Sequence, residues 1–147
     1  MMFRVLISLI FLLFLTGFST SNINLKFGNP SGASQNDLNN YLIEKPQYVL
    51  SYNCQIGTAN WVSWEVDPYW LGDVERSDDF RPDPDVPCYA VRPTDYRGSG
   101  YDRGHLDPSG DRTATETDNS ATFFMSNMIP QSPANNRDYT LHNAYKL

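Results

Sequence analysis

Three rhythms of apolar and polar residues divide this chain. From Val5 to Leu15 every residue except Ser8 is apolar, Arg4 precedes the run, and Gly17, Ser19, Thr20 and Ser21 follow it. A basic start, an apolar core of roughly 7–15 residues and a small-residue exit make up the layout of a secretory signal peptide. The run falls short of the about 20 apolar residues that a membrane span needs. Residues 1–21 are therefore read as a signal peptide cleaved after Ser19 or Ser21, with an uncleaved N-terminal anchor as the alternative. Residues 22–147 are then one domain of a secreted or periplasmic protein.

The second rhythm is extended chain. Asn22 to Asn40 is rich in Asn, Ser and Gly, and Gly28-Asn29-Pro30-Ser31-Gly32 reads as a turn, so this part is expected to be irregular. Tyr48 to Tyr52 and Ala59 to Val66 are β-rich, and the second alternates Trp61, Ser63 and Glu65 against Val62, Trp64 and Val66. The short link from Asn53 to Thr58, with Gly57 inside it, predicts an antiparallel hairpin. The two Trp belong to the core and surface of that sheet.

The third rhythm, from Pro68 to Pro93, is polar and Pro-rich, with charges gathered between Asp73 and Asp85. Such a composition favours disorder. Trp70-Leu71-Gly72, Phe80 and Tyr89-Ala90-Val91 supply anchors, and an ordered surface segment is expected. No internal repeat is visible, and nothing after Asn22 is long and apolar enough to span a membrane.

Charge narrows the choice of function. Seventeen acidic and eleven basic side chains leave a formal net charge of −6, the wrong sign for holding polyphosphate by general attraction. Any phosphate must be gripped locally, by a few cations in a cleft. Cys54 and Cys88 are the two cysteines. In an exported chain they permit one disulfide closing a loop of about 35 residues, two free thiols being the alternative. Cys-rich zinc spacing is absent.

Three further runs carry chemistry: Tyr101-Asp102-Arg103-Gly104-His105, Ser126-Asn127-Met128-Ile129-Pro130-Gln131 and Asn135-Asn136. A His that can accept a proton from water, an Arg two positions earlier and an amide able to bind a hard cation are what metal-assisted phosphodiester cleavage needs. Singly, each has a plainer reading: a His beside Arg and Gly is structural or surface, and Asn136 is a turn or helix N-cap residue. A P-loop reading of the Gly98-Ser99-Gly100 approach lacks the Gly-Lys-Ser/Thr ending.

Taken together, in this order and with Asn136 nine positions after Asn127, the runs closely resemble the DNA/RNA non-specific endonuclease family. The likeness begins near Leu25 and includes Gly28-Asn29-Pro30-Ser31-Gly32, Gly57-Thr58-Ala59-Asn60-Trp61 and Phe80-Arg81-Pro82-Asp83. It implies an α+β chain with the ββα-metal fold around a central antiparallel sheet. It further implies sequence-independent hydrolysis of DNA and RNA to 5′-phosphate and 3′-hydroxyl ends. His105 matches the general base, at the end of a strand, with a backbone carbonyl expected to hold its other ring nitrogen. Asn136 matches the protein ligand to Mg²⁺ or Mn²⁺. Arg103 and Arg76 match phosphate contacts, Arg76 being carried in by the Pro-rich segment, with nearby Arg81 as its competitor. Asn127 matches a supporting position.

The resemblance breaks after Asp138. A Trp is expected four positions beyond Asn136 and a Glu eight beyond, where this chain has Thr140 and Ala144. The expectation is a domain whose C-terminal part is missing, as after a frameshift or premature stop, with the sheet face under the helix near Asn136 left exposed. An inactive remnant, or an exported module that binds nucleic acid or a protein inhibitor of nucleases, are the alternative readings. His142 lies past the break and has no assigned role.

Overall fold

A computed structural model of the chain describes residues 21–137. The signal-peptide expectation, the Thr140 and Ala144 positions and His142 all lie outside the described residues. Two antiparallel sheets organise the rest. Strands β1 (Tyr41–Glu44), β2 (Val49–Asn53) and β3 (Thr58–Ser63) form one, in the order β1-β2-β3, and β4 (Asp102–His105) pairs with β5 (Met128–Gln131) in the other. Helix α1 (Glu116–Ala121) and helix α2 (Pro133–Arg137) complete the α+β architecture.

The predicted hairpin is present. Leu50 faces Val62 and Ser51 faces Trp61, with the register shifting between Ser51 and Tyr52. Gly57 closes the link at φ 71°, a left-handed conformation that favours glycine. The second strand is shorter than the alternation suggested and ends at Ser63. There the Ser63 hydroxyl donates to the Asn24 carbonyl at 2.6 Å and the Glu65 amide donates to Asn24 Oδ1 at 2.8 Å, so the chain leaves the sheet for the N-terminal segment. Val66, beyond the end of the strand, is exposed to solvent. Trp61 and Trp64 are half-buried, their indole N–H groups donating to Ser31 Oγ and Asp111 Oδ2.

β2 is buried from Val49 to Tyr52, and Ile43, Tyr48, Leu50 and Tyr52 form the apolar core with Val62, Trp64 and Val86 packed against them. Beside it lies a polar core. Asp83, Asp107, Arg112, Asn119 and Asn127 are buried almost completely. Lys45, also buried, donates to Asp83 at 3.0 Å and to Asp85 at 2.7 Å, and stands over the Phe124 ring. Buried charges are costly unless paired, and the Lys45 pairs tie the end of β1 to the Pro-rich segment.

The Pro-rich stretch is ordered, as its anchors suggested. Its backbone bonds to the rest of the chain at Val74 to Thr113 and Arg81 to Phe123. Gly72 lies so close to the Thr113 carbonyl that an added Cβ would stand 2.6 Å from it. Cys54 and Cys88 form a disulfide with Cα atoms 6.0 Å apart. Replacing both by Ser is expected to lower stability by about 2–4 kcal/mol, through greater freedom of the unfolded chain. Urea midpoints of the two proteins under non-reducing conditions measure this, and equal midpoints would remove the disulfide from the account of stability. Among the described residues no helix is long and apolar enough to cross a membrane.

Candidate active site

The site begins with the pairing of β4 and β5, in which Arg103 faces Pro130 and His105 faces Met128. Alternation along β4 sends Arg103 and His105 to one face and Asp102 and Gly104 to the other. At Gly104 the Gln131 side chain occupies the space that a Cβ would take, so a larger residue would require that side chain to shift. Past β5 the chain turns into α2, which starts at Pro133, so Asn136 lies inside a helix and not at its first residue.

A cleft of about 550 Å³ opens at this corner, with Arg76, Phe80, Arg97, Tyr101, Arg103 and Asn136 on its walls. Arg103 lies flat over the Phe80 ring, 3.8 Å from its centre, and has no carboxylate within ion-pair distance among the described residues. Arg76 reaches the same cleft. Its Nε donates to Asp78 and its Nη1 to Ser109 Oγ, both at 2.7 Å, and it stands over Phe123. Arg81, its competitor from the sequence, turns into a different groove, where it bonds Asp79 and the Ser120 carbonyl over Phe124. Arg76 is therefore the cleft arginine of that segment.

Asn136 is anchored by its nitrogen. Its Nδ2 donates to Asp102 Oδ2 at 3.1 Å, and Arg137 Nε donates to the same oxygen at 2.7 Å. The Arg137 bond, and then that of Asn136, hold the Asp102 carboxyl below its ordinary pKa. With the nitrogen held, Asn136 Oδ1 accepts no hydrogen bond among the described residues. It is a hard oxygen beside a carboxylate.

His105 does not line this cleft. Its ring stands edge-on to Phe123 at 4.8 Å and to Phe80 at 5.7 Å, and the residue is only partly buried. Nε2 is buried without a hydrogen-bond partner, and the expected carbonyl acceptor for the other nitrogen is not found among the described residues. Burial, with the charges of Arg76 and Arg103 added, pushes the imidazole pKa down to about 4 against the pull of Asp78. The ring is neutral at pH 7 and keeps a free lone pair.

Asn127, matched by the resemblance to a supporting position, does not line the cleft. It is fully buried and away from the cleft, and its amide is fully used. Its Oδ1 accepts from the Asp107 amide and its Nδ2 donates to the Asp107 and Thr122 carbonyls, all at 2.9 Å, while its own carbonyl accepts from the Leu106 amide. These bonds fix the chain immediately after His105. Asn127 positions the end of β4 and touches nothing that binds in the cleft.

Sequence reasoning gave no role to Arg97, Tyr101, Asp102 or the Asp107–Arg112 pair. For Arg97 and Tyr101 a signal was present, since both flank the Gly98-Ser99-Gly100 run, but that run was read only as a flexible approach.

The donors at the cleft fit a hard divalent cation that keeps most of its waters: one amide oxygen, Asn136 Oδ1, with the Asp102 carboxylate beside it to hold a water. No cluster of three or more His, Cys, Asp or Glu stands together among the described residues.

Comparison with known proteins places this arrangement in context. The family model described as DNA/RNA non-specific endonuclease matches residues 25–143. A nuclease of Nostoc sp. (strain PCC 7120 / SAG 25.82 / UTEX 2576) is 56% identical over 121 residues, covering 80% of this chain and 44% of the relative. Nuclease C1 of Cunninghamella echinulata var. echinulata is 40% identical over 112 residues, covering 73% of this chain and 42% of the relative. Human mitochondrial endonuclease G is 38% identical over 100 residues, covering 66% of this chain and 34% of the relative. A chain in the crystal structure of the EndoG/EndoGI complex superposes with a TM-score of 0.69 at 32% identity, over 86% of this chain and 53% of that one. The chain thus spans less than half the length of these curated relatives.

Proposed function

Because the chain belongs to the DNA/RNA non-specific endonuclease family, we propose that it is an exported, divalent-metal-dependent hydrolase that cuts DNA and RNA without reading sequence. The observation that carries this reading is local. In a chain of net charge −6, Arg103 without an ion-pair partner and an Asn136 amide oxygen without a donor, both among the described residues, meet on one cleft. Grip on phosphate and cation contains no base information, which suits sequence-independent cutting.

Arg103 and Arg76 would hold the non-bridging oxygens of the scissile phosphate, a guanidinium fork matching two oxygens at once. Asn136 Oδ1 would ligate Mg²⁺ or Mn²⁺, with Asp102 orienting a water. When bound, the cation supplies neutralisation of the negative charge that builds on the phosphate. Neutral His105 would take a proton from the attacking water as oxygen bonds to phosphorus. The bond to the 3′ oxygen breaks, and that oxygen takes up a proton, leaving a 3′-hydroxyl and a 5′-phosphate.

That His105 is not on the cleft wall favours a second reading, in which the cleft binds nucleic acid, or a protein inhibitor that covers the same surface, without hydrolysis.

Plasmid DNA and total RNA incubated with the purified chain separate the two readings. Degradation is expected with Mg²⁺ or Mn²⁺, with none in EDTA, and end-labelling should report 5′-phosphates. Degradation insensitive to EDTA would refute the metal-dependent reading. Binding without any degradation would leave only the second. Arg103→Ala is expected to reduce cleavage at least about 10-fold, as loss of a charge-assisted contact does, while Arg81→Ala, on the other groove, keeps wild-type rates. The reverse ranking in a rate assay would place the phosphate elsewhere.

A further inference from the structure

Resting on the reading of the cleft as a phosphate-binding site, we propose that Tyr101 is a stacking platform for the nucleobase next to the bound phosphate. Its preferred substrate is then a strand whose bases are free of a duplex. Tyr101 lies on the cleft wall with its side chain 55% exposed, and its hydroxyl makes no hydrogen bond among the described residues. It is two residues from Arg103 along nearly extended chain, which separates them by roughly 6–7 Å. That is a distance a nucleotide can bridge, with its phosphate at Arg103 and its base at the ring.

The platform is held by its backbone and not by its side chain. Ser99 Oγ accepts from the Tyr101 amide at 3.1 Å, and Gly98 and Gly100 take φ of 74° and 82°, so the turn delivering Tyr101 is built on two left-handed residues. Little order remains to be gained on binding, which favours a stiff aromatic contact. Arg97, on the same wall, has no carboxylate within ion-pair distance among the described residues and adds positive charge for a neighbouring phosphate. A basic groove with an aromatic face is how single strands are held irrespective of sequence, because every base has a π-face.

The test is binding, read without catalysis. Fluorescence anisotropy in EDTA compares a labelled ten-residue thymidine oligonucleotide with an oligomer of equal length built from abasic tetrahydrofuran units. Wild-type protein is expected to bind the thymidine strand at least about 5-fold more tightly. Tyr101→Ala should bind both oligomers alike, at the abasic level, and Tyr101→Phe should retain the preference. If wild-type and Tyr101→Ala bind both strands with the same ratio, the stacking role is wrong while the phosphate cleft stands. If wild-type protein binds neither strand, the cleft reading itself fails and takes this one with it.

Discussion

Substitution of His105 by Ala is expected to reduce metal-dependent cleavage by about 10²–10⁴-fold, the range a positioned general base contributes. The fold should survive, since no hydrogen bond among the described residues ends on the ring and only its contacts with Phe80 and Phe123 are lost. Unchanged circular dichroism with lost activity is therefore the expected pair of results. A variant with near-wild-type rates would show that another group takes the proton. The pH profile gives a second measurement. The base must be neutral, and burial has brought its pKa down to about 4, so the acid limb of the rate should fall near pH 4 and not near the free-imidazole value of about 6.5. A limb at about 6.5 would mean that the ring is solvated in the working enzyme.

The second large effect is on stability. Arg112→Ala is expected to destabilise the fold by about 3–5 kcal/mol, as breaking one side of a buried ion pair does. Arg112 is wholly buried beneath Trp70. Its Nε donates to the Gln47 carbonyl at 3.1 Å, its Nη2 to the Gln47 and Glu65 carbonyls, and its Nη1 to the Asp111 carbonyl at 2.8 Å. Three backbone acceptors would be orphaned at once, and the buried Asp107 would lose the cation 3.4 Å away. For a domain with a total of about 5–15 kcal/mol, that loss leaves little margin. Urea unfolding of the oxidised protein measures it, and a loss under about 1 kcal/mol would remove Arg112 from the list of supports. Replacing Arg112 by Met and Asp107 by Leu together should destabilise less than Arg112→Ala alone.

Asp107 and His105 also pull stability in opposite directions with pH. Arg112 spends its protons on carbonyls, so desolvation wins at Asp107 and raises its pKa to about 7, with Arg112 lowering it only in part. The folded state then holds a proton that the unfolded chain has released, and stability contributed by this group declines as pH rises from about 4 through 7. His105 has a folded pKa below its unfolded one, so its contribution is present above about 6.5 and is lost as pH falls towards 4. The two windows overlap and partly offset each other between those limits.

How much of this was readable beforehand depends on which force fixes each part. The β2–β3 hairpin was legible because alternation and a turn glycine act locally. Strand β1 was not, since Tyr41 to Glu44 is short and takes its place only by pairing Ile43 with Leu50. Arg76 was legible through family spacing and was separated from Arg81 only by the directions their side chains take. The buried polar core could not be anticipated. Asp83 sits in a segment read as ordered surface, Asp107 and Arg112 in one that carries no local signal, and only their three-dimensional partners make burial tolerable. The packing of His105 edge-on to Phe80 likewise depends on an aromatic residue 25 positions earlier, a contact that the run containing Phe80 does not by itself predict.

The two sheets share no ladder; the Thr58 hydroxyl donates to the Met128 carbonyl between them, and Lys45 with Asp83 and Arg112 with the Gln47 carbonyl tie the β1–β2 link to the segments packed around it. Such a seam is chemically brittle. In a saturation library its ionic positions should tolerate fewer replacements than the aliphatic ones, because a methylene shortfall can be absorbed by repacking and a missing counter-charge cannot. Directed evolution towards a hardier protein would then begin by leaving this seam untouched and working on the outward-facing residues Val66, Tyr69 and Leu71.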